Sequence, residues 1–249
     1  MERYLSQAPV WAILLFVIGF IGSIFLIARS VQKAALHSGM GAKKSRGVFL
    51  GILLFYLLWL AYVSVLALNG VLYNAALPPR LFLFTTIPLL VILFGFVGNT
   101  ALFKQLLGVM PLESMVFMHV FRILGVFFLL LSYYKLLEPG FAMAAGMGDI
   151  ITAILAVPVA RAVALKKPWS TPVVYAWNIF GLLDIVNLMT IAIFNAIKHP
   201  GTGGEMVLFP FSWFPAFAPA SIPFFHYAIF RKLKAGQVST RHAVSPGLQ

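Results

Sequence analysis

Runs of apolar residues, each closed by a short polar or basic stretch, divide the chain into seven segments at about 9–29, 48–69, 81–104, 113–134, 141–163, 171–196 and 206–230. Each is near or above the roughly 20 residues that an α-helix needs to cross about 30 Å of hydrocarbon. The connections are short, so consecutive helices should be antiparallel neighbours, and none is long enough to separate a second domain. The pattern predicts an all-α, polytopic seven-helix transmembrane bundle over residues 1–249, with 232–249 as a tail. Local signals agree: Trp169-Ser170-Thr171-Pro172 offers a hydroxyl cap and a first-turn proline. Pro200-Gly201 and Gly203-Gly204 mark a loop.

Charge orients the bundle. Thirteen of the 18 Lys and Arg residues flank one set of alternate span ends and four flank the other, with Arg122 alone inside a span. The richer side is expected to be the cytoplasm, which puts the N-terminus outside and the C-terminus inside. The first segment is too long for a signal peptide, and its basic cluster follows rather than precedes it. Composition sharpens the same picture: 61% hydrophobic residues, 10% charged and a mean hydropathy of +0.98 point to lipid as the main solvent. The net charge of +12 is spread in short clusters between apolar runs, which argues against nucleic acid as a partner. Without cysteine, disulfides, thiolate metal sites and covalent c-type haem are excluded.

The ionisable and amide groups inside the spans carry the functional information, because an ionisable group there costs at least about 2.5–3.5 kcal/mol unless it finds a partner or water. They are His119 and Arg122 in the fourth span, Asp149 in the fifth, Asn178, Asp184 and Asn187 in the sixth, and His226 in the seventh. His119 and Arg122, three apart, share a helical face. At about 1.5 Å rise per residue, Arg122 lies about 14 Å from the cytoplasmic end, and Asp149 and Asp184 about 20 Å. His119, Asn178 and His226 lie shallower, at about 6–11 Å. Arg122 is expected to pair with Asp149, Asp184 or both. Two carboxylates against one guanidinium leave one negative charge in excess, so a proton, a cation or a protonated His119 must complete the balance. One carboxylate is then a candidate proton carrier.

Two other features bear on chemistry. His119 and His226, at similar depth on different helices, could hold a haem iron or, with a carboxylate, a metal; no His-x-x-x-His or His-Glu-x-x-His spacing supports this, and no cofactor is predicted. Pro210, Pro215, Pro219 and Pro223 crowd the seventh span. They should free the carbonyls of Phe211, Pro215 and Pro219, kink or break the helix, and turn that face toward protein or water. Small residues, namely Gly19 and Ser23 in the first span and Ala142, Ala145, Gly146 and Gly148 in the fifth, mark close helix contacts. Glu113, Glu138 and Glu205 are expected to be solvated, and His37, His199 and His242 to lie in loops or the tail.

With His119-Val-Phe-Arg122, Gly148-Asp149, Trp177-Asn178-x-x-Gly181-Leu-Leu-Asp184 and a proline-rich last span ending in His226, the second half of the chain resembles small uncharacterised bacterial multi-pass membrane proteins. The resemblance implies a bacterial inner membrane and no particular activity. The seventh span has no central lysine for a retinal Schiff base. The expected function is a transporter or channel-like protein for a small polar solute or protons. Its cavity would lie between the last four helices and be lined by Arg122, Asp149, Asp184, Asn178, Asn187, His119 and His226. The alternatives are a membrane-embedded metal or haem enzyme or redox protein, and a non-catalytic subunit or assembly factor with a protein partner or a second copy.

Overall fold

Eight longer helices and two short 3₁₀ turns, Glu2–Tyr4 and Gly204–Val207, make up this computed structural model, which describes residues 2–73, 78–198 and 204–244, with side chains described through residue 235. The longer helices are α1 Val10–His37, α2 Ala42–Leu68, α3 Phe82–Asn99, α4 Ala101–Val109, α5 Leu112–Tyr133, α6 Pro139–Ala164, α7 Ser170–Lys198 and α8 Trp213–Val244. Six of them, α1, α2, α3, α5, α6 and α7, are long and apolar enough to cross a membrane. The third span is shorter than the apolar run suggests. Thr100 turns extended, accepts a hydrogen bond from Phe103 N at 3.1 Å, and so starts the separate helix α4. The C-terminal end of α4 is closed by Lys232 of α8, whose Nζ donates to the carbonyls of Leu107 (3.1 Å) and Gly108 (2.5 Å). The loop residues His199, Pro200, Gly201 and Gly203 lie outside the described residues, as does the side chain of His242.

Helix α8 is the axis of the bundle. From Phe211 to Ile229 nearly every residue is buried, whereas α1, α2 and α7 carry rows of exposed Leu, Ile, Val and Phe. The core between α1 and α8 is aromatic. Phe16 packs against Phe127, Phe211 and Phe214 with ring centroids 4.6–5.3 Å apart, and Phe20 meets Phe217 edge-on at 5.4 Å.

The prolines of α8 act less drastically than their number suggests. Pro210 follows a cis peptide before the helix, Pro215 falls in the first turn, and only Pro219 and Pro223 sit in the interior. The helix runs on through both. The carbonyl of Pro215, freed because Pro219 has no N–H, accepts instead from Thr86 Oγ1 of α3 at 2.8 Å. The carbonyl of Phe211 takes the amide of Phe214 at 3.0 Å in a tightened turn. Two further donors, Trp59 Nε1 to Ala216 O at 3.1 Å and Trp213 Nε1 to Ser64 Oγ at 2.9 Å, tie α8 to α2.

The N-terminal segment is stitched to the stretch before α8. Ser6 N donates to Phe209 O at 2.8 Å, and Phe209 N to Tyr4 O at 3.1 Å. Gly70, at φ +71, ends α2 where a Cβ would collide with the Tyr4 ring. Contrary to the expectation of a solvated loop acid, Glu205 is only 4% exposed, because this segment covers it. Its Oε1 accepts from Gln7 N at 3.3 Å, and its Oε2 has no partner among the described residues.

Two measurements follow. Thr86→Val should lower the thermal stability of the purified protein by about 0.6–1.7 kcal/mol, the range for buried polar contacts between membrane helices. Adding Pro219→Ala, which restores a backbone donor to Pro215 O, should remove most of that loss. Burial raises the Glu205 carboxyl above its usual value, against smaller lowering by the Ser6 side chain and the Gln7 amide. A raised folded-state value means that the docked segment holds a proton more tightly than the undocked one. Docking is therefore strongest in acid and weakens as pH climbs through the raised value. Amide exchange protection at Ser6 and Phe209 should fall over that range in the wild type and stay flat in Glu205→Gln.

Candidate functional site

The fourth span tightens where its polar residues lie. Over Met118–Gly125, α5 narrows to a 3₁₀ helix, in which side chains three apart eclipse. His119, Arg122 and Gly125 therefore stand in one column, and Arg122 is among the largest fully buried side chains of the molecule. Its guanidinium is shared by three neighbouring helices. Nε donates to Asp149 Oδ1 of α6 at 2.6 Å, and Nη2 donates to Asp184 Oδ2 of α7. Nη1 donates to the Gly181 carbonyl of α7 at 3.0 Å and lies 3.2 Å from His226 Nε2 of α8. Four of the five donors on this side chain are thereby used.

His226 is fixed in its neutral form by what surrounds it. Asn178 Nδ2 donates to the His226 backbone carbonyl at 3.1 Å, so Asn178 Oδ1 faces the ring and accepts from Nδ1–H at 2.7 Å. The remaining lone pair, on Nε2, then receives Arg122 Nη1. His119 stands apart. It is fully buried, both ring nitrogens lack a partner among the described residues, and it packs on His226 (4.3 Å) and edge-on to Trp177 (5.1 Å).

Glycines make the closeness possible. A Cβ on Gly148 would strike the Asp184 carboxylate, one on Gly125 would come 2.5 Å from Asp149 Cβ, and one on Gly181 would come within 2.9 Å of Arg122 Nη1 and His226 Nε2. Of the three, only Gly148 reads in sequence as a packing seam. Their role in admitting the charged side chains needed the partners to be placed. Asn187, expected among the cavity residues, sits on an exposed face of α7 and is not drawn into the cluster. The two depth tiers expected from sequence are joined, because one long guanidinium reaches both the carboxylates and His226.

The empty space lies elsewhere than expected. Beside Arg122 there is room for only about 10 Å³. A chamber of about 820 Å³ opens instead toward the end of the bundle opposite the basic clusters. Its walls are largely apolar, from Phe128, Leu188, Met189, Phe214 and Pro219 among others, and its buried end is Asp149. Exposed Lys135 and Glu138 stand at its mouth. Glu138 caps α6 by accepting from Gly140 N (2.8 Å) and Phe141 N (2.6 Å). The Phe141 and then the Gly140 amide hold its carboxyl below the usual range.

A haem or metal does not fit this donor set. Both nitrogens of His226 are engaged, and two imidazoles with centroids only 4.3 Å apart leave no room for a porphyrin between them. Among the described residues no three His, Asp or Glu side chains converge as metal ligands.

Arg122→Met should cost about 3–5 kcal/mol of stability, because it strands two buried carboxylates. Gly181→Ala should cost about 1–3 kcal/mol through overpacking. Gly22→Ala, whose Cβ would meet nothing within 4 Å, should be neutral or slightly stabilising. Thermal unfolding of the three variants in one detergent checks the ranking.

No curated protein and no solved structure matches the chain. A family model described as a domain of unknown function does match, over residues 77–234, and that stretch holds Arg122, Asp149, Asn178, Asp184 and His226 together with their glycine neighbours. With more than half of its length and the whole ion cluster inside the match, the chain belongs to the DUF8737 family.

Proposed function

We propose that this is a seven-span protein of a bacterial inner membrane, with its N-terminus outside and its C-terminus in the cytoplasm, which moves protons or a small polar solute past Asp149 and Asp184. In this reading α8 is the seventh span. It is less apolar than the other six because protein, not lipid, surrounds it. The orientation is supported by the basic clusters: the end of α1, the start of α2, α4, the end of α6 and the end of α8 carry thirteen Lys and Arg residues. Lys232 against α4 puts two of these clusters side by side.

The observation that carries the reading is the unequal charge of the cluster. One guanidinium faces two carboxylates, and the imidazole that completes it is held neutral by Asn178 and Arg122. In a low-dielectric interior a net negative charge draws a proton or another cation. Asp149 belongs both to this cluster and to the chamber, so it is the group through which such an ion would enter. Asp184, less buried than Asp149, is the second carrier. Arg122 holds the pair in place, and His226 with Asn178 forms the path toward the basic end.

A second reading, a non-catalytic subunit whose buried ions only pin helices, is favoured by the tight packing around Arg122. The two part company in proteoliposomes. With an imposed pH gradient, Asp149→Asn and Asp184→Asn should each slow proton flux by about tenfold or more, a barrier increase of about 1.4 kcal/mol. Flux equal to wild type in both variants, with a fixed partner protein co-purifying, would sink the transport reading and leave the structural one.

A further inference from the structure

The chamber has the size of a pocket that encloses a drug-sized molecule, at about 820 Å³ against the usual 300–1,000 Å³. Among the described residues three charged side chains line it: Lys135 and Glu138 at the mouth and Asp149 at the buried end. The two at the mouth cancel. Asp149 remains, and its one partner, Arg122, is divided between it and Asp184. The chamber thus ends in uncompensated negative charge, while its walls offer apolar and aromatic surface that water fills poorly.

A hydrated inorganic ion suits the charge but wastes the walls. A neutral apolar molecule suits the walls but leaves the carboxylate without a counter-charge. An anionic amphiphile could place its head on Lys135, yet Glu138 stands beside that position and Asp149 faces the tail. Only an apolar body carrying a single positive charge satisfies every surface of the chamber.

We infer that the chamber binds a lipophilic monovalent cation, with Asp149 as its counter-charge. The inference rests on the proposed transport function for its physiological meaning and deepens it by naming the substrate class. It stands on its own as a binding site. The cation's apolar groups lie against Leu188, Met189 and Phe214, and its charge comes to rest near the Asp149 carboxylate, where Arg122 answers only half of the negative charge present. Ala192, in the chamber wall on α7, sits outside the ion cluster and offers a place to fill the space without touching the charges.

Tetraphenylphosphonium and tetraphenylborate, nearly equal in size and shape and opposite in charge, separate the alternatives by equilibrium dialysis against the full chain in nanodiscs of phosphatidylcholine. Tetraphenylphosphonium should bind saturably, close to one per chain, and more tightly than tetraphenylborate. Asp149→Asn should weaken it about tenfold or more, the least that coupling between close charges gives. Ala192→Trp should abolish it while the unfolding temperature stays near that of wild type, which keeps the test decisive if Asp149→Asn folds poorly. Equal or tighter binding of tetraphenylborate, above all if Lys135→Ala removes it, overturns the proposal in favour of an anionic amphiphile. So does tetraphenylphosphonium binding that Ala192→Trp leaves unchanged. Because dialysis reads binding and the proteoliposome assay reads flux, failure here with Asp149-dependent proton flux intact removes only the cation. Cation binding without such flux removes only the transport reading.

Discussion

One guanidinium, enclosed where water does not reach, dictates much of the arrangement around it. Transferring Arg122 into a low-dielectric interior is tolerable only if its donors are met and its charge is answered. The acceptors come from three different helices: Asp149 on α6, Asp184 and the Gly181 carbonyl on α7, and His226 on α8. Satisfying them fixes the register of α5 against each of its partners, since a shift of one turn in any helix would move an acceptor by about 5.4 Å. The glycines at 125, 148 and 181 belong to the same requirement, because acceptors can come this close only where a neighbouring backbone carries no side chain.

Much of this was legible in the residues before any coordinates. Apolar run lengths located the six helices long and apolar enough to cross a membrane, and the cost of an intramembrane charge singled out Arg122, Asp149 and Asp184 as mutual partners, which is how they stand. Other features depend on information that a linear pattern lacks. The run from 81 to 104 hides a break at Thr100 because hydropathy does not register a cap; the hydroxyl three residues ahead of Phe103 was the available signal. Asn187 looked equivalent to Asn178 by composition, yet its offset of nine positions along the helix turns it to the exposed face. Glu205 looked solvated because its cover, residues 4–7, comes from the far end of the sequence. The position of the chamber was equally invisible: polar residues gathered into a tight knot, and the space was left among apolar ones.

That separation of knot and space matters for how the site can work. A polar cavity holding loosely arranged ions would be a water-filled passage. The molecule has instead a tightly packed hydrogen-bonded cluster abutting a greasy chamber, and among the described residues Asp149 is the single charged residue common to both. Whatever enters from the chamber therefore meets the cluster through one carboxylate, and any change in its charge is felt at once by Arg122 and, through Arg122, by Asp184 and His226. His119, packed against His226 with no hydrogen-bond partner of its own among the described residues, lies one ring further along the same line.

The encasement of α8 has a bearing on how the protein is made. This helix follows the other seven in the chain, and its prolines and His226 make it the poorest candidate among the long helices to partition into lipid unaided. Its hydrogen-bond partners Ser64, Thr86 and Asn178, together with the aromatic rings that flank it, belong to helices translated earlier. During synthesis the surface that receives this helix is therefore complete in the chain before the helix itself emerges. A chain truncated before residue 213 would leave Ser64, Thr86 and Asn178 without these partners and strip the cover from the aromatic rings of α1.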